Sequence, residues 1–117
     1  MGDEQQIEPK HAAELIEGGA PAIDVRDSYE YEAGHIRGAR NVPFDRLSAE
    51  TAGVAAGGSV VFYCRTGDRS STAAAAFAEA GIDAHNIAGG LEAWTQEGLP
   101  LEPEDGTVVE RSGLPPA

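Results

Sequence analysis

The chain has one cysteine, one lysine and no apolar run approaching the length of a membrane-spanning helix. Each shortage removes a class of protein. A lone Cys64 cannot close an internal disulfide, and His11, His35 and His85 are too scattered to offer metal-ligand spacing. Neither a metal nor an organic cofactor is implied, and a reducing cytoplasm is the expected home. The opening MGDEQQ is acidic and polar, unlike a secretory signal. The longest alanine-rich piece, Ala73–Ala78, belongs to a short helix, so no membrane span is expected. Positive charge is scarce too. Asp and Glu number 20 against 8 Lys and Arg, a formal net charge of −12 that argues against nucleic acid or anionic membrane as a partner. An acidic, lysine-poor surface keeps a protein soluble by self-repulsion that salt would screen. That composition points to a halophile-like protein over an ordinary acidic bacterial one.

What remains is enough for one domain. With 117 residues and 41% hydrophobic content there is room for a single modest core and no second domain. The organising stretch runs from Ser59 to Gly81. SVVFYC is a short apolar run without a helical face, which is how a strand buried on both sides of a parallel sheet reads. It ends on Cys64. Gly67 loosens the following loop, Ser70 or Ser71 can cap the next helix, and Ala73, Ala76, Phe77 and Ala80 form its expected buried face. Gly81 stands where a left-handed C-cap is wanted. A cysteine between such a strand and helix lies where loop amides and the positive end of the helix dipole converge, so it is expected to react as its thiolate.

Around this centre, strands alternate with helices, which argues an α/β fold with a largely parallel sheet. Gln5–Glu8 reads as an edge strand, and Pro9 opens a helix to about Glu17 that buries Ala12, Leu15 and Ile16. Ala22–Val25 is a strand, Ser28 caps a short helix through Glu32, and Ala39–Val42 is a strand that Pro43 ends. Arg46–Ala56 reads as a helix, Ala84–Ala88 as a strand, and Leu91–Glu97 as a helix burying Leu91 and Trp94. The structured unit is expected to span residues 5–101. Residues 102–117, with little apolar content, are expected to form a flexible tail in which Val108 and Val109 offer a docking point.

Three stretches together resemble the rhodanese-like sulfurtransferases. Cys64-Arg65-Thr66-Gly67-Asp68-Arg69 is similar to that family's six-residue active loop. Asp24-Val25-Arg26-Asp27 followed by Gly34-His35-Ile36-Arg37-Gly38-Ala39-Arg40-Asn41-Val42-Pro43 resembles its N-terminal signature, and Gly89-Gly90-Leu91 with Trp94 its C-terminal one. Each motif alone is weak, but the three occur in order and register from about Ile7 to Pro100. The resemblance implies a rhodanese-like α/β fold, a parallel five-stranded sheet flanked by helices on both faces. It also implies a cysteine that accepts a sulfane sulfur, becomes a persulfide and passes the sulfur on. A small anionic donor such as thiosulfate, a thiol or cyanide acceptor, and a sulfur-relay protein are the implied partners.

The residues can be read for that chemistry. Gly67 lets several backbone N–H groups turn toward one centre, as a persulfide's negative charge requires. Arg65 and Arg69 offer positive charge to an anionic donor, and Thr66 and Ser70 add hydroxyl donors. Asp68 works against them and is expected to face solvent or pair with an arginine. Arg69 can alternatively bind a backbone carbonyl or Asp24. Asp24 and Arg26, at a neighbouring strand end, read as supports of the site, His35 as a turn holder and Trp94 as core packing. Two rivals remain. A phosphatase or arsenate reductase of related fold carries five residues between cysteine and arginine, whereas four intervene here, a narrower cradle that suits one sulfur better. A non-catalytic binding module often lacks the cysteine, which this chain keeps.

Overall fold

A computed structural model describes residues 5–54 and 57–109 of the chain. Its frame is a five-stranded, wholly parallel sheet in the order β1-β5-β4-β2-β3. The strands are β1 (Gln6–Ile7), β2 (Ala22–Asp24), β3 (Arg40–Asn41), β4 (Ser59–Tyr63) and β5 (Asp83–Ile87). The helices are α1 (Pro9–Glu17), α2 (Ser28–Ala33), α3 (Ala49–Ala52), α4 (Asp68–Glu79) and α5 (Gly90–Gln96). Among the described residues no helix is long and apolar enough to cross a membrane.

The central strand shows why the sheet needs cover on both faces. Side chains alternate along β4, so Val60 and Phe62, with Cys64 just beyond, enter one core, and Val61 and Tyr63 enter the other. The first core is closed by Ala73, Ala74 and Phe77 of α4, with Phe62 and Phe77 meeting edge to face at 4.9 Å between ring centroids. The second is closed by Ala12 of α1 and by Leu91 and Trp94 of α5. Because every crossover is parallel, the C-terminal ends of β2 and β4 lie side by side, with Asp24 opposite Tyr63.

Several expected details shift. Helix α4 starts at Asp68, with Gly67 as its left-handed N-cap (φ 102°), so neither Ser70 nor Ser71 caps it. Its buried face is Ser70, Ala73, Ala74 and Phe77, while Ala76 and Ala80 are exposed. A run of alanines leaves the phase of the stripe undetermined, and Phe77 sets it. The single helix expected over Arg46–Ala56 is a 3-10 turn at Phe44–Arg46 followed by α3. Leu47 is extended between them and packs on the first core; Ser48 Oγ accepts the Thr51 N–H at 3.1 Å, and Gly53 turns left-handed. Ala55 and Ala56 lie outside the described residues. Helix α2 has Asp27, not Ser28, as its N-cap residue, and Glu30 Oε1 accepts the Asp27 N–H at 3.0 Å.

Beyond α5, His35 and Glu102 form an isolated antiparallel bridge, with N···O distances of 3.1 and 2.8 Å. The Thr107 N–H donates to Ala33 O at 2.8 Å, and Val108 packs on the second core. Residues 110–117 of the expected tail lie outside the described residues.

Candidate active site

Cys64 follows the last residue of β4 and is 1% exposed, so its sulfur is held inside the loop that leads to α4. Two donors reach it. The Gly67 N–H donates to Cys64 Sγ at 3.1 Å, and the Ser70 hydroxyl donates to the same sulfur at 3.3 Å. Gly67 is required for the first contact, since φ of 102° is closed to ordinary residues, and a Cβ there would also press within 3.4 Å of Gly89 N and Ile87 O. The twelve-residue helix α4 begins at the next residue, which directs the positive end of its dipole at the sulfur.

The loop is fixed from outside by α5. Leu91 N–H donates to Cys64 O at 2.8 Å and Glu92 N–H to Arg65 O at 3.0 Å. These bonds engage the Cys64 and Arg65 carbonyls, while the Gly67 N–H faces the sulfur. Gly90 makes the approach feasible: a Cβ on it would stand 2.5 Å from Arg65 O and 2.6 Å from Cys64 O. On the far side, Asn86 Nδ2 reaches Gly67 O at 3.4 Å and Gln6 Oε1 at 2.7 Å, and Gln6 Nε2 donates to Ser71 Oγ at 3.0 Å.

Neither loop arginine is free. Arg65 Nη1 donates to Glu92 Oε2, on the first turn of α5. Arg69 binds the fully buried Glu30 through its two terminal nitrogens, Nη1 to Oε1 and Nη2 to Oε2, each at 3.2 Å. Its partner is thus neither a backbone carbonyl nor Asp24. Burial acts to lower the Arg69 pKa, but the hydrogen bonds and charge of Glu30, with lesser help from Cys64 and Asp27, outweigh it and leave it raised. Asp68 is the one exposed residue between Cys64 and Ser70, and Thr66 is half-buried.

Asp24 and Arg26 lie fully buried at the end of β2 as a pair. Arg26 Nη2 meets Asp24 Oδ2 at 2.6 Å, Nε meets Oδ1 at 2.9 Å, and Nη2 also donates to Gly34 O at 2.7 Å. Burial acts to lower the Arg26 pKa, yet hydrogen bonding and charge from Asp24 prevail and raise it. The hydroxyl of Tyr63, beneath them, accepts the Ile36 N–H at 3.0 Å. Burial, then the nearby Asp24 charge, pushes the Tyr63 phenol well above its ordinary pKa. His35 stacks on Tyr31 at 3.8 Å between ring centroids, with Nδ1 2.9 Å from Tyr31 O, an arrangement that holds the turn after α2. Trp94 is core, and its Nε1 donates to Pro100 O at 2.8 Å.

The sequence reading missed Glu30, Glu92, Asn86 and Gln6. For Glu30 a local signal existed, an acidic residue three beyond Asp27 in capping-box spacing. For the other three, no local pattern marks the contact.

A buried cysteine at a strand end, with the left-handed Gly67 opening the helix that follows, thus sits at the C-terminal edge of a parallel α/β sheet. The sequence profile of the Rhodanese-like domain matches residues 8–97. The thiosulfate sulfurtransferase GlpE of Pseudomonas paraeruginosa is 35% identical over 91 residues, covering 77% of this chain and 83% of that one. The protein of the same name from Pseudomonas fluorescens is 35% identical over 95 residues, 80% of this chain and 87% of that one. The crystal structure of a rhodanese-related protein from Thermoplasma volcanium superposes with a TM-score of 0.74 at 25% identity, covering 83% of this chain and 96% of that one. This chain belongs to the rhodanese-like domain family.

Proposed function

We propose that the protein is a sulfurtransferase that carries sulfane sulfur on Cys64, from a donor such as thiosulfate to a thiol or cyanide acceptor. The observation that supports this most directly is the pair of donors on Cys64 Sγ, the Gly67 N–H and the Ser70 hydroxyl, at the N-terminus of α4. In the first half-reaction the Cys64 thiolate attacks the outer sulfur of the donor. The donor's S–S bond breaks and sulfite leaves with the electron pair. Cys64 is left as the persulfide, whose terminal sulfur carries the charge that the loop amides stabilise. In the second, the acceptor attacks that terminal sulfur and the Cys64 thiolate is the leaving group.

Arg69, locked to Glu30, and Arg65, held by Glu92, brace the two ends of the cradle. The α5 amides on Cys64 O and Arg65 O hold its floor. A sulfur-relay protein as acceptor, a cytoplasmic setting and a salt-adapted acidic surface complete the proposal. The test is sulfur transfer by Cys64→Ser. Transfer should vanish while the urea-unfolding midpoint stays near wild type, because the hydroxyl nearly matches the thiol in size. A Cys64→Ser protein that still turns over would contradict the mechanism.

A further inference from the structure

The charge around Cys64 is arranged unlike a trap for a dianion. Among the residues of the loop and their direct partners, two guanidinium groups, Arg65 and Arg69, stand against three carboxylates, Glu92, Glu30 and Asp68. Arg69 is only 14% exposed and spends both Nη groups on Glu30; Asp27 lies near enough to add a fourth negative charge to its surroundings. The chain as a whole carries −12, so the field met by an approaching anion is repulsive at long range as well. What positive potential the site has comes from the Gly67 amide and the start of α4, and it is focused on one atom, Cys64 Sγ. That cradle can hold the single charge of a persulfide sulfur. Among the described residues of the loop, neither guanidinium is left uncompensated for a sulfonate group lying outside the cradle.

We infer that the preferred sulfur donor is a hydropersulfide of a small thiol, R–S–SH, rather than the thiosulfate dianion. This rests on the sulfurtransferase reading above and refines it. The Cys64 thiolate attacks the terminal sulfur of R–S–SH and forms Cys64–S–SH. The donor S–S bond breaks, its electron pair leaves on RS⁻, and the proton of the new hydropersulfide passes to that thiolate, which departs as RSH. The transferred sulfur keeps its oxidation level, so no oxidant or reductant is needed. Only one negative charge has to be accommodated at any stage: it starts on Cys64 Sγ beside the Gly67 N–H, passes to the leaving thiolate, and returns to the bound persulfide when that thiolate takes up the proton.

The experiment is the rate at which Cys64 gains one sulfur, read by intact mass, with thiosulfate or with cysteine hydropersulfide at pH 7. Each rate is divided by that of a free small thiol under the same conditions, which removes the donors' intrinsic reactivity. The normalised rate should be at least about tenfold higher for the hydropersulfide, and added salt should raise the thiosulfate rate more than the hydropersulfide rate. Glu92→Gln keeps a hydrogen-bond acceptor for Arg65 but removes the carboxylate charge, and should raise the ratio of thiosulfate to hydropersulfide loading rates about fivefold. Equal or faster normalised loading by thiosulfate in the wild type, or equal acceleration of both donors by Glu92→Gln, would overturn the donor assignment and leave the sulfurtransferase reading standing. If neither donor loads Cys64 in the folded protein, the sulfurtransferase reading falls and the donor assignment with it.

Discussion

Gly90 and Gly81 are both left-handed, at φ of 63° and 87°, yet an alanine should have very different consequences at the two sites. At Gly81 nothing lies within 4 Å of the added Cβ, so only the backbone conformation is penalised, by about 1 kcal/mol. At Gly90 the same methyl meets three backbone atoms of the active loop, with Arg65 O at 2.5 Å as the nearest. An ordinary C···O contact needs about 3.3 Å, so loop or helix must retreat by roughly 0.8 Å. That retreat stretches the hydrogen bonds from Leu91 N to Cys64 O and from Glu92 N to Arg65 O, each contributing about 1 kcal/mol. With the backbone penalty, Gly90→Ala should lose about 3 kcal/mol of stability. The Gly67 N–H that faces the sulfur moves with the loop, and a misplacement approaching 1 Å costs roughly a hundredfold in rate. Urea unfolding and sulfur-transfer rates on both variants test this. Gly81→Ala should keep wild-type transfer. A Gly90→Ala protein with wild-type transfer, or two variants that behave alike, would refute the idea that α5 sets the loop.

Asp24→Ala leaves Arg26 fully buried without its carboxylate and should cost about 3–5 kcal/mol in urea unfolding; a loss below about 1 kcal/mol would contradict the buried pair. Tyr63 and Tyr31 both have raised pKa values relative to their ordinary 10.0. Their contribution is complete below about pH 10, where both states keep the phenol protonated, and is lost as pH rises above it because only the unfolded chain ionises readily. Stability measured at pH 8 and pH 11 should therefore fall, and the fall should shrink in Tyr63→Phe. An undiminished alkaline slope in that variant would rule Tyr63 out as its source.

Much of this arrangement is written in local patterns. Pro9 and the Gly18-Gly19 pair bound α1 from Pro9 to Glu17. The run of Val, Phe and Tyr before Cys64 gives the central strand, and Gly67 gives the turn that brings an amide to the sulfur. Local pattern misplaces the start of α4 because Ser70 looks like a cap. Its hydroxyl instead answers to the cysteine six residues earlier, a tertiary contact that outweighs local capping preference. The order of the strands and the partners of the two loop arginines depend on long-range closure. Arg69 and Glu30 are 39 residues apart, Arg65 and Glu92 are 27 apart, and no periodicity links either pair. That is also why the arginines read from sequence as free cations for an anionic donor, while the folded chain has each of them paired.

The central claim is that Cys64 carries the sulfur, and intact mass tests it most directly. Folded wild-type protein incubated with a sulfane donor, thiosulfate or a hydropersulfide, should gain about 32 Da, a gain that a thiol reductant removes and that Cys64→Ser never shows. Folded protein with a free thiol that gains no sulfur from either donor would contradict the account and favour a binding module that does no chemistry.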